Sequence, residues 1–341
     1  TLGQSKKEQR KNYMKKNEVR NIVVLCFITL IVFFISMGLN GRFNNFFEGC
    51  SLLFKSVCNN ININNELENN ETLLGINEVE GSGVIININD GSDLIHQEDV
   101  IILINEIRNT GCEAISVNNV RITNQSYLYC DGGVILLDGV KIGNPFNIRV
   151  IGDIETIYGT LTRNKGYINI LKDDKIIVDV EKQENVKIEA SNLKMYDDYK
   201  NKKSKISKII ESNKYIGKTD VEGRGIEITI DTGEEKVLTS TNFIEMVNDL
   251  KSANVTAISI NNQRITNMTD IVEISKKYIL VNSINIKSPF IFRAVGDIEK
   301  IQNAIEAENS MFAKLKEKGL KYNVEYKKYI KVYKYEVQKE Q

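Results

Sequence analysis

The first hydrophobic pattern along the chain is an unbroken apolar run. Residues Ile22 to Leu39 carry no charge over 18 positions, which approaches the length that a helix needs to cross a hydrocarbon core of about 30 Å. Seven basic and two acidic residues precede the run. Because cytoplasmic flanks carry the excess of lysine and arginine, the pattern predicts a basic cytoplasmic tail (1–21), a single transmembrane helix (22–39) and an extracytoplasmic remainder.

A cleaved signal peptide is the alternative interpretation of this run. The run is longer than the apolar core of a signal peptide, and no A-x-A-like cleavage site follows it. These features favour a retained anchor, although the sequence leaves cleavage open.

The next segment changes from periodic to aperiodic. Apolar residues recur at spacings of three and four from Phe43 to Val57, which predicts an amphipathic helix that lies on the membrane, pairs with a partner helix or packs on its own domain. Asn59 to Glu71 is polar and aperiodic, which predicts a flexible spacer. We assign residues 40–78 to this juxtamembrane helix and spacer.

The remaining chain contains one pattern twice. "AISVNNVRITN" begins at Ala114, and "AISINNQRITN" begins 143 positions later at Ala257. "GSGVIINI" and "GRGIEITI" precede these phrases, and "NPFNIRVIGDIETI" and "SPFIFRAVGDIEKI" follow them. The period indicates a tandem duplication, with a first repeat over 79–189, a lysine-rich helical linker over 190–218 and a second repeat over 219–341.

Both copies predict the same order of elements: strand, helix, strand, turn, hairpin, strand, helix and strand. The second strand is predicted to run through both asparagines of "AISVNN" and "AISINN", and the second helix to be about nine residues longer in the second copy. The last element is predicted to be strand over 167–181 in the first copy and 322–337 in the second. Apolar runs at Val84–Ile88 and Ile226–Ile230 predict the first strands. Gly111 and Asn254, which tolerate the left-handed conformation of a helix C-cap, predict where the first helices end. This order predicts an α+β fold of two tandem ferredoxin-like domains with mostly antiparallel sheets, each burying its own core, preceded by one transmembrane helix.

Composition narrows the classes of function. The chain carries 45 basic and 45 acidic residues, and without its basic tail it is mildly acidic, so it has no general attraction for nucleic acid. His96 is the only histidine, lies at a predicted helix start and has no counterpart in the second copy. The sequence therefore predicts no catalytic triad, metal site or cofactor.

Charged residues at three positions occur in both copies and form a candidate ligand-binding site: Arg121, Arg149, Asp153, Arg264, Arg293 and Asp297. Guanidinium groups bind carboxylates and phosphates through paired hydrogen bonds, so this set could hold a small anion. Alternatively, arginine and aspartate could pair and fasten a turn. The structural interpretation is favoured because "GD" before "IETI" or "IEKI" is typical of a helix N-cap.

These motifs resemble the domain-of-unknown-function family 881. The resemblance rests on "CEAISVNNVRIT", the hairpin and "NPF" segment that follow, and "VIGDI", and it extends over about Gly81 to Glu189 and from Gly223 to the C-terminus. It implies a bacterial single-pass protein with an extracytoplasmic α/β domain, commonly encoded beside cell-division genes and without established catalytic residues. The present chain differs in carrying two copies and little coiled coil before the first.

Two functions remain open from the sequence. The first is a non-enzymatic membrane-anchored envelope protein whose tandem domains bind a protein partner, in cell division or cell-wall remodelling, with homo-oligomerisation as a further option. The alternative is an extracytoplasmic sensor that binds a small anionic ligand at the duplicated arginine and aspartate positions. A cytoplasmic tail of about 20 residues has no room for an output domain, so a sensor would need a partner to signal.

Overall fold

The computed structural model describes Ile28 and residues 43–89, 95–193, 197–233, 238–267, 269–275 and 278–336. The predicted membrane segment, Ile22 to Leu39, lies outside these residues except for Ile28, so its helix and its topology remain predictions. Within the described ranges, no helix has both the length and the apolar character required to cross a membrane.

Helix α1 (Phe43–Leu73) occupies the segment before the first repeat. The predicted helix from Phe43 to Val57 is confirmed, but the flexible spacer predicted for Asn59 to Glu71 is wrong because the same helix continues through it. This asparagine-rich stretch contains no proline or glycine, and the helical penalty for asparagine is small beside theirs. Residues 1–66 and 67–341 form two separate compact units, so only the end of α1 belongs with the repeats.

The first repeat contains, in chain order, β1 (Val79–Asn89), α2 (Gln97–Arg108), β2 (Ala114–Val117), β3 (Val120–Arg121), β4 (Leu128–Asp131), β5 (Val134–Leu137), β6 (Val140–Ile142), β7 (Phe146–Ile151), α3 (Ile154–Thr162), α4 (Tyr167–Asp173) and β8 (Ile177–Ile188). Two helices follow it, α5 (Asp197–Lys200) and α6 (Lys205–Tyr215). The predicted linker is therefore helical in two pieces.

The second repeat contains the same elements in the same order: β9 (Val221–Ile230), α7 (Ser240–Ser252), β10 (Ala257–Ile260), β11 (Gln263–Arg264), β12 (Ile271–Ser275), β13 (Tyr278–Val281), β14 (Ile284–Ile286), β15 (Phe290–Val295), α8 (Ile298–Glu306), α9 (Met311–Glu317) and β16 (Tyr322–Val332). The duplication predicted from the sequence thus appears as two copies of one set of elements.

Each repeat has one large and one small antiparallel sheet. The five-stranded sheets have the strand orders β3-β2-β7-β1-β8 and β11-β10-β15-β9-β16, and every pairing within them is antiparallel. The three-stranded sheets, β4-β5-β6 and β12-β13-β14, are antiparallel meanders. The predicted α+β class with antiparallel sheets is confirmed.

Alternation along the strands explains how the core forms. Val84, Ile86 and Ile88 of β1 are buried in one apolar cluster with the apolar face of α2, whereas Ile85 packs in a smaller cluster on the opposite side of the sheet. A period of two sends successive side chains to opposite faces of a strand. The helices therefore cover one face of each large sheet.

One prediction about the end of the first copy is wrong. Residues 167–181 were expected to form a strand, but Tyr167–Asp173 is helix α4 and the strand starts at Ile177. Ile168 and Leu171 are buried while Ile170 is 46% exposed, so burial follows the helical spacing of three instead of the alternation of a strand. The helices α3 and α8 also have equal lengths, although a longer one was expected in the second copy.

The two repeats share one continuous core, which differs from the prediction that each buries its own. A single cluster of buried apolar side chains includes residues of both copies. Helices α2 and α7 contact each other, and Asn105 of α2 reaches β12, where its amide donates to Ile271 O at 2.9 Å and accepts from Ile271 N at 3.3 Å. The apolar faces of these helices are thus wide enough to serve both their own sheet and the other repeat.

Candidate functional site

The repeated phrase forms a tight hairpin in each copy. Asn118 and Asn119 join β2 to β3 with φ values of 47° and 66°, and Asn261 and Asn262 join β10 to β11 with 46° and 67°. Two-residue hairpins of this kind need positive φ at both positions, which asparagine tolerates better than most residues. The strand predicted to run through both asparagines therefore ends before them.

The first asparagine of each pair also holds a neighbouring loop. Asn118 donates to Gly143 O at 2.8 Å and accepts from Asn147 N at 2.9 Å. Asn261 makes the matching contacts, donating to Lys287 O at 3.1 Å and accepting from Ile291 N at 2.7 Å. The side chain satisfies backbone groups that the turn into the next strand leaves unpaired. The duplicated asparagines are thus explained by the fold.

Arg121 and Arg264 anchor the helix that precedes each repeat. Both side chains are buried, with exposed fractions of 3% and 1%. Arg121 donates to Thr72 O at 3.5 Å, and Arg264 donates to Lys214 O. These carbonyls lie in the last turns of α1 and α6, where they lack the usual intrahelical partner and a positive charge is favourable; each also accepts from the amide of the glycine that follows, Gly75 or Gly217. Burial lowers the pKa of each arginine to about 10, so both stay charged at neutral pH.

The helix ends that receive these arginines have the same geometry. Gly75 and Gly217 adopt φ values of 75° and 82°, and the next amide bonds back five residues in each case, Ile76 N to Glu71 O at 2.8 Å and Lys218 N to Asn213 O at 2.9 Å. This is the Schellman arrangement, for which glycine is the usual residue. Each repeat therefore includes the end of the preceding helix.

Arg149 and Arg293 occupy matching positions but have different partners. Arg293 pairs with Glu227 at 2.7 Å and also bonds Asn262. Arg149 donates to Asn147 Oδ1 at 3.0 Å, and the position across the sheet that matches Glu227 is Ile85. Within the described ranges, Arg149 forms no ion pair. The duplicated arginine is neutralised only in the second repeat.

Asp153 and Asp297 are helix N-caps, as the sequence predicted. Asp153 accepts from Thr156 N at 2.9 Å and from the Thr156 hydroxyl at 2.7 Å at the start of α3. Asp297 accepts from Glu299 N and Lys300 N at the start of α8. A side-chain oxygen at this position satisfies amides that have no partner inside the helix.

The six candidate residues thus divide between separate local structures. Only the arginines come together: Arg121 and Arg149 flank Ser116 in one row across the first sheet, and the second repeat has the same arrangement around Ser259. Ser116 is buried, and its hydroxyl has no hydrogen-bond partner among the residues described. The aspartates lie beyond the strands and cap helices.

Sequence reasoning missed the polar contacts between the repeats. Asn70 of α1 and Ser212 of α6, which occupy matching positions, hydrogen-bond to each other at 2.8 Å. Lys251 of α7 is buried; burial and the nearby Arg108 lower its pKa to about 7, against the opposing effect of Asp138. No local pattern marks such residues, because their partners come from the other copy.

The outermost strands of the large sheets differ in chemistry. Strand β16 carries exposed tyrosines, among them Tyr326 and Tyr329, and exposed tyrosines continue beyond it at Tyr333 and Tyr335. The matching residues on and after β8 are Lys182, Asn185, Glu189 and Ser191. The aromatic edge therefore belongs to the second repeat alone.

The described ranges contain no group of three or more histidine, cysteine, aspartate or glutamate residues placed to hold a metal ion. His96 is exposed at the start of α2, where its backbone amide donates to Asp99 at 2.6 Å. His96 is thus an exposed residue at a helix start, as its position in the sequence indicated.

The fold and its local sites define a tandem α+β repeat protein whose duplicated polar residues stabilise turns and helix ends. A family model described as "Bacterial protein of unknown function (DUF881)" matches residues 66–199 and 208–341. The chain belongs to this family, in two tandem copies. Both matches begin within the helix that precedes a repeat, in agreement with the arginine-anchored helix ends.

Curated relatives carry names that state no activity. The chain is 31% identical to the UPF0749 protein YlxW of Bacillus subtilis over 137 residues, which are 37% of this chain and 59% of the relative. It is 23% identical to YlxX of the same organism over 150 residues, 40% and 60% of the two chains. It is 33% identical to UPF0749 protein Rv1825 of Mycobacterium tuberculosis over 89 residues, 25% and 30%. The chain therefore spans less than two thirds of each of these relatives.

One solved structure resembles part of the chain. It is the crystal structure of an uncharacterized conserved protein from Mycobacterium tuberculosis, with 27% identity and a TM-score of 0.34. The match covers 36% of this chain and 87% of that one.

Proposed function

We propose that this chain is a non-enzymatic, membrane-anchored envelope protein whose tandem extracytoplasmic repeats bind a protein partner in cell division or cell-wall remodelling. We also assign each repeat to the ferredoxin-like type, because β2-β7-β1-β8 and β10-β15-β9-β16 follow the order of a split βαβ unit. The anchor and the topology rest on the apolar run of residues 22–39 and the basic tail before it.

The topology can be tested with a reporter. A reporter enzyme that folds only outside the cytoplasm, fused after Gln341, should be active in intact cells. A second fusion made before Ile22 should be inactive and serves as the control. Activity of the fusion before Ile22, or silence of the fusion after Gln341 despite normal protein level, would reverse the proposed orientation.

The observation that carries partner binding is the tyrosine-rich outer edge of β16. Strand β16 pairs with β9 on one side only among the described residues, so the backbone groups of its outer side can receive another strand. Tyr329 is 65% exposed beside this edge. Tyrosine is enriched at binding hot spots because it combines a large apolar surface with a hydroxyl group.

A photocrosslinking experiment tests this surface in the full chain. A photoreactive phenylalanine analogue at position 329 should crosslink to a discrete protein in cells. The same analogue at the exposed Lys202, which lies between α5 and α6 and on neither outer strand, should not give that product. Combining Tyr326→Ser with Tyr333→Ser should remove the crosslink, and the captured protein should bind the purified parent chain but not this double variant. Equal crosslinking at both positions, or binding indifferent to the tyrosines, would contradict the assignment.

For the alternative function, binding of a small anion, we propose a site at Arg149 of the first repeat. Arg293 is neutralised by Glu227, whereas Arg149 has Ile85 in that place. Phosphate or acetate should then bind the full chain, and Arg149→Gln should abolish binding while Arg293→Gln leaves it unchanged. Equal loss in both variants, or no saturable binding, would remove this alternative.

A further inference from the structure

The outer edges of the two large sheets carry opposite charges. Residues 177–191, which contain β8, include two lysines and four carboxylates, for a net charge of −2. The matching residues 321–335, which contain β16, include five lysines and one carboxylate, for a net charge of +4. We call these segments the acidic edge and the basic edge. The duplication has therefore kept the strand while reversing its charge.

The opposite sign of the two edges remains after their internal ion pairs are taken into account. Lys182 and Lys187 of the acidic edge are paired with Glu155 at 2.7 Å and Glu78 at 3.0 Å. Three carboxylates of the acidic edge form no ion pair with any described residue: Asp179, Glu181 and Glu184. On the basic edge, Lys321 and Lys328 form none among the described residues, whereas the other three lysines, Lys327, Lys331 and Lys334, are paired with Glu325, Asp220 and Glu336. The uncompensated charge is thus negative on one edge and positive on the other.

The two edges also match in length and in backbone exposure. Strands β8 and β16 contain 12 and 11 residues, and each is the outermost strand of its sheet among the described residues. Both carry a β-bulge at matching positions, opposite Gly81/Gly83 and Gly223/Gly225. A strand with one paired side presents a row of unpaired amides and carbonyls on the other.

Charge decides which edges can pair. Two acidic edges, or two basic edges, would place like charges opposite each other, which destabilises strand pairing. Lysines are a common means of preventing an edge from pairing with its own copy, but their charge does not oppose an acidic strand. The basic edge therefore fits the acidic edge of another molecule.

We propose that the basic edge of one chain pairs with the acidic edge of a second copy, adding β8 of one molecule beside β16 of the next. This inference rests on the proposed function, since it names the partner that the β16 edge receives. Each copy offers one edge of each kind, so the contact is head-to-tail and can continue into a row of molecules.

Charge reversal in the full chain, purified in detergent, tests the pairing. The parent should self-associate at low salt, with weaker association at high salt because exposed charges are screened. Glu181→Lys combined with Glu184→Lys should weaken association at least tenfold, and so should Lys321→Glu combined with Lys328→Glu. Lys202→Glu combined with Lys203→Glu, on the exposed segment between α5 and α6, is the matched control and should associate like the parent.

Mixing the two edge variants gives the decisive measurement. In each variant alone the changed edge no longer has the charge opposite to that of the intact edge, because the acidic edge changes from −2 to +2 and the basic edge from +4 to 0. The mixture again offers the intact basic edge of one variant to the intact acidic edge of the other, so sedimentation should show restored association only after mixing. A parent that stays monomeric at every concentration, or a mixture that remains dissociated, would overturn the inference. If the parent stays monomeric while position 329 still captures a different protein, the proposed function stands and the self-pairing is rejected. Failure of both experiments rejects both.

Discussion

The first helix of each repeat carries an acidic residue at the same position, and the two residues differ in whether a cation pairs with them. In the first repeat, Glu106 of α2 accepts from Tyr167 N at 3.1 Å and pairs with Arg163 at 2.9 Å. In the second, Asp249 of α7 accepts from Met311 N at 2.7 Å, and the position of Arg163 is taken by Ala307. The hydrogen bond to the next helix is kept and the neutralising cation is not.

Other matched positions show the same pattern: hydrogen bonds to backbone groups occur in both copies, whereas ion pairs occur in one. Backbone-directed hydrogen bonds, such as those of Asn118 and Asn261, are present twice. Ion pairs such as Arg293–Glu227 are present once. A buried amide or carbonyl without a partner costs stability in any sequence context, whereas an ion pair at the surface contributes little. The polar residues that occur in both copies are therefore those whose hydrogen bonds stabilise the fold. The charged residues that occur in one copy are the positions at which the chemistry of the two repeats differs.

The largest expected effect concerns the pH dependence of Asp249. Burial raises the pKa of Asp249 to about 8, against the lowering effect of the amides of Met311 and Phe312. The folded state thus prefers the neutral acid, so its contribution to stability is complete below about pH 4 and is lost as the pH rises towards 8. Relative to the parent, Asp249→Asn should gain up to about 4 kcal/mol in unfolding free energy between pH 4 and pH 7.

Urea unfolding of both chains across this pH range measures that gain. Glu106→Gln is the matched control, and it should lose stability relative to the parent at neutral pH because it breaks the pair with Arg163. A parallel pH dependence in Asp249→Asn and the parent would show that Asp249 is already ionised in the folded chain.

The next largest effect is expected from replacing Arg121 and Arg264, the buried arginines that bond the end of the helix before each repeat. Arg264 donates to three carbonyls, of Thr219, Tyr333 and Lys214, whereas Arg121 donates to one, at 3.5 Å. Hydrogen bonds to a charged group contribute about 1.5–3 kcal/mol. Arg264→Met should therefore lower the unfolding free energy by about 3 kcal/mol and Arg121→Met by about 1.5 kcal/mol.

Urea midpoints of the two variants, with unchanged slopes, check this order. Equal losses would mean that the anchors act through packing alone, because the methionine side chain is similar in size in both sites. A larger loss from Arg121→Met would contradict the hydrogen-bond explanation.

Local features explain which parts of this structure were accessible from the sequence. Asp153 and Asp297 were predicted as caps because a cap depends only on the residues next to it. Helix α4 was mistaken for a strand because a short apolar run fits both periods. The hairpin at Asn118 had a usable signal, two adjacent asparagines between apolar residues. The contact between Asn70 and Ser212 had none, because it depends on how one copy meets the other.

A smaller effect is expected when the helix caps are removed. Asp153→Ala and Asp297→Ala each leave first-turn amides of α3 or α8 without their side-chain acceptor. Both should lower the unfolding free energy by about 1 kcal/mol, to a similar extent in the two copies. Melting temperatures of the two variants and the parent test this. Unchanged or raised melting temperatures in both would favour a ligand-binding role for the aspartates instead.

The smallest effect should come from exchanging Ile85 and Glu227, the matched residues that differ in charge between the two large sheets. Glu227 and Arg293 are partly exposed, at 21% and 25%, so their ion pair should contribute only about 0.5–1 kcal/mol. Glu227→Ile should cost that amount, and Ile85→Glu should give Arg149 the same partner across β1 and β7. A double-mutant cycle with Arg149→Gln should then measure a coupling in the first repeat that the parent lacks. Coupling in Ile85→Glu equal to that between Glu227 and Arg293 would show that the two sheets differ at this place by one side chain. Absence of coupling would show that the apolar cluster around Ile85 holds Arg149 out of reach.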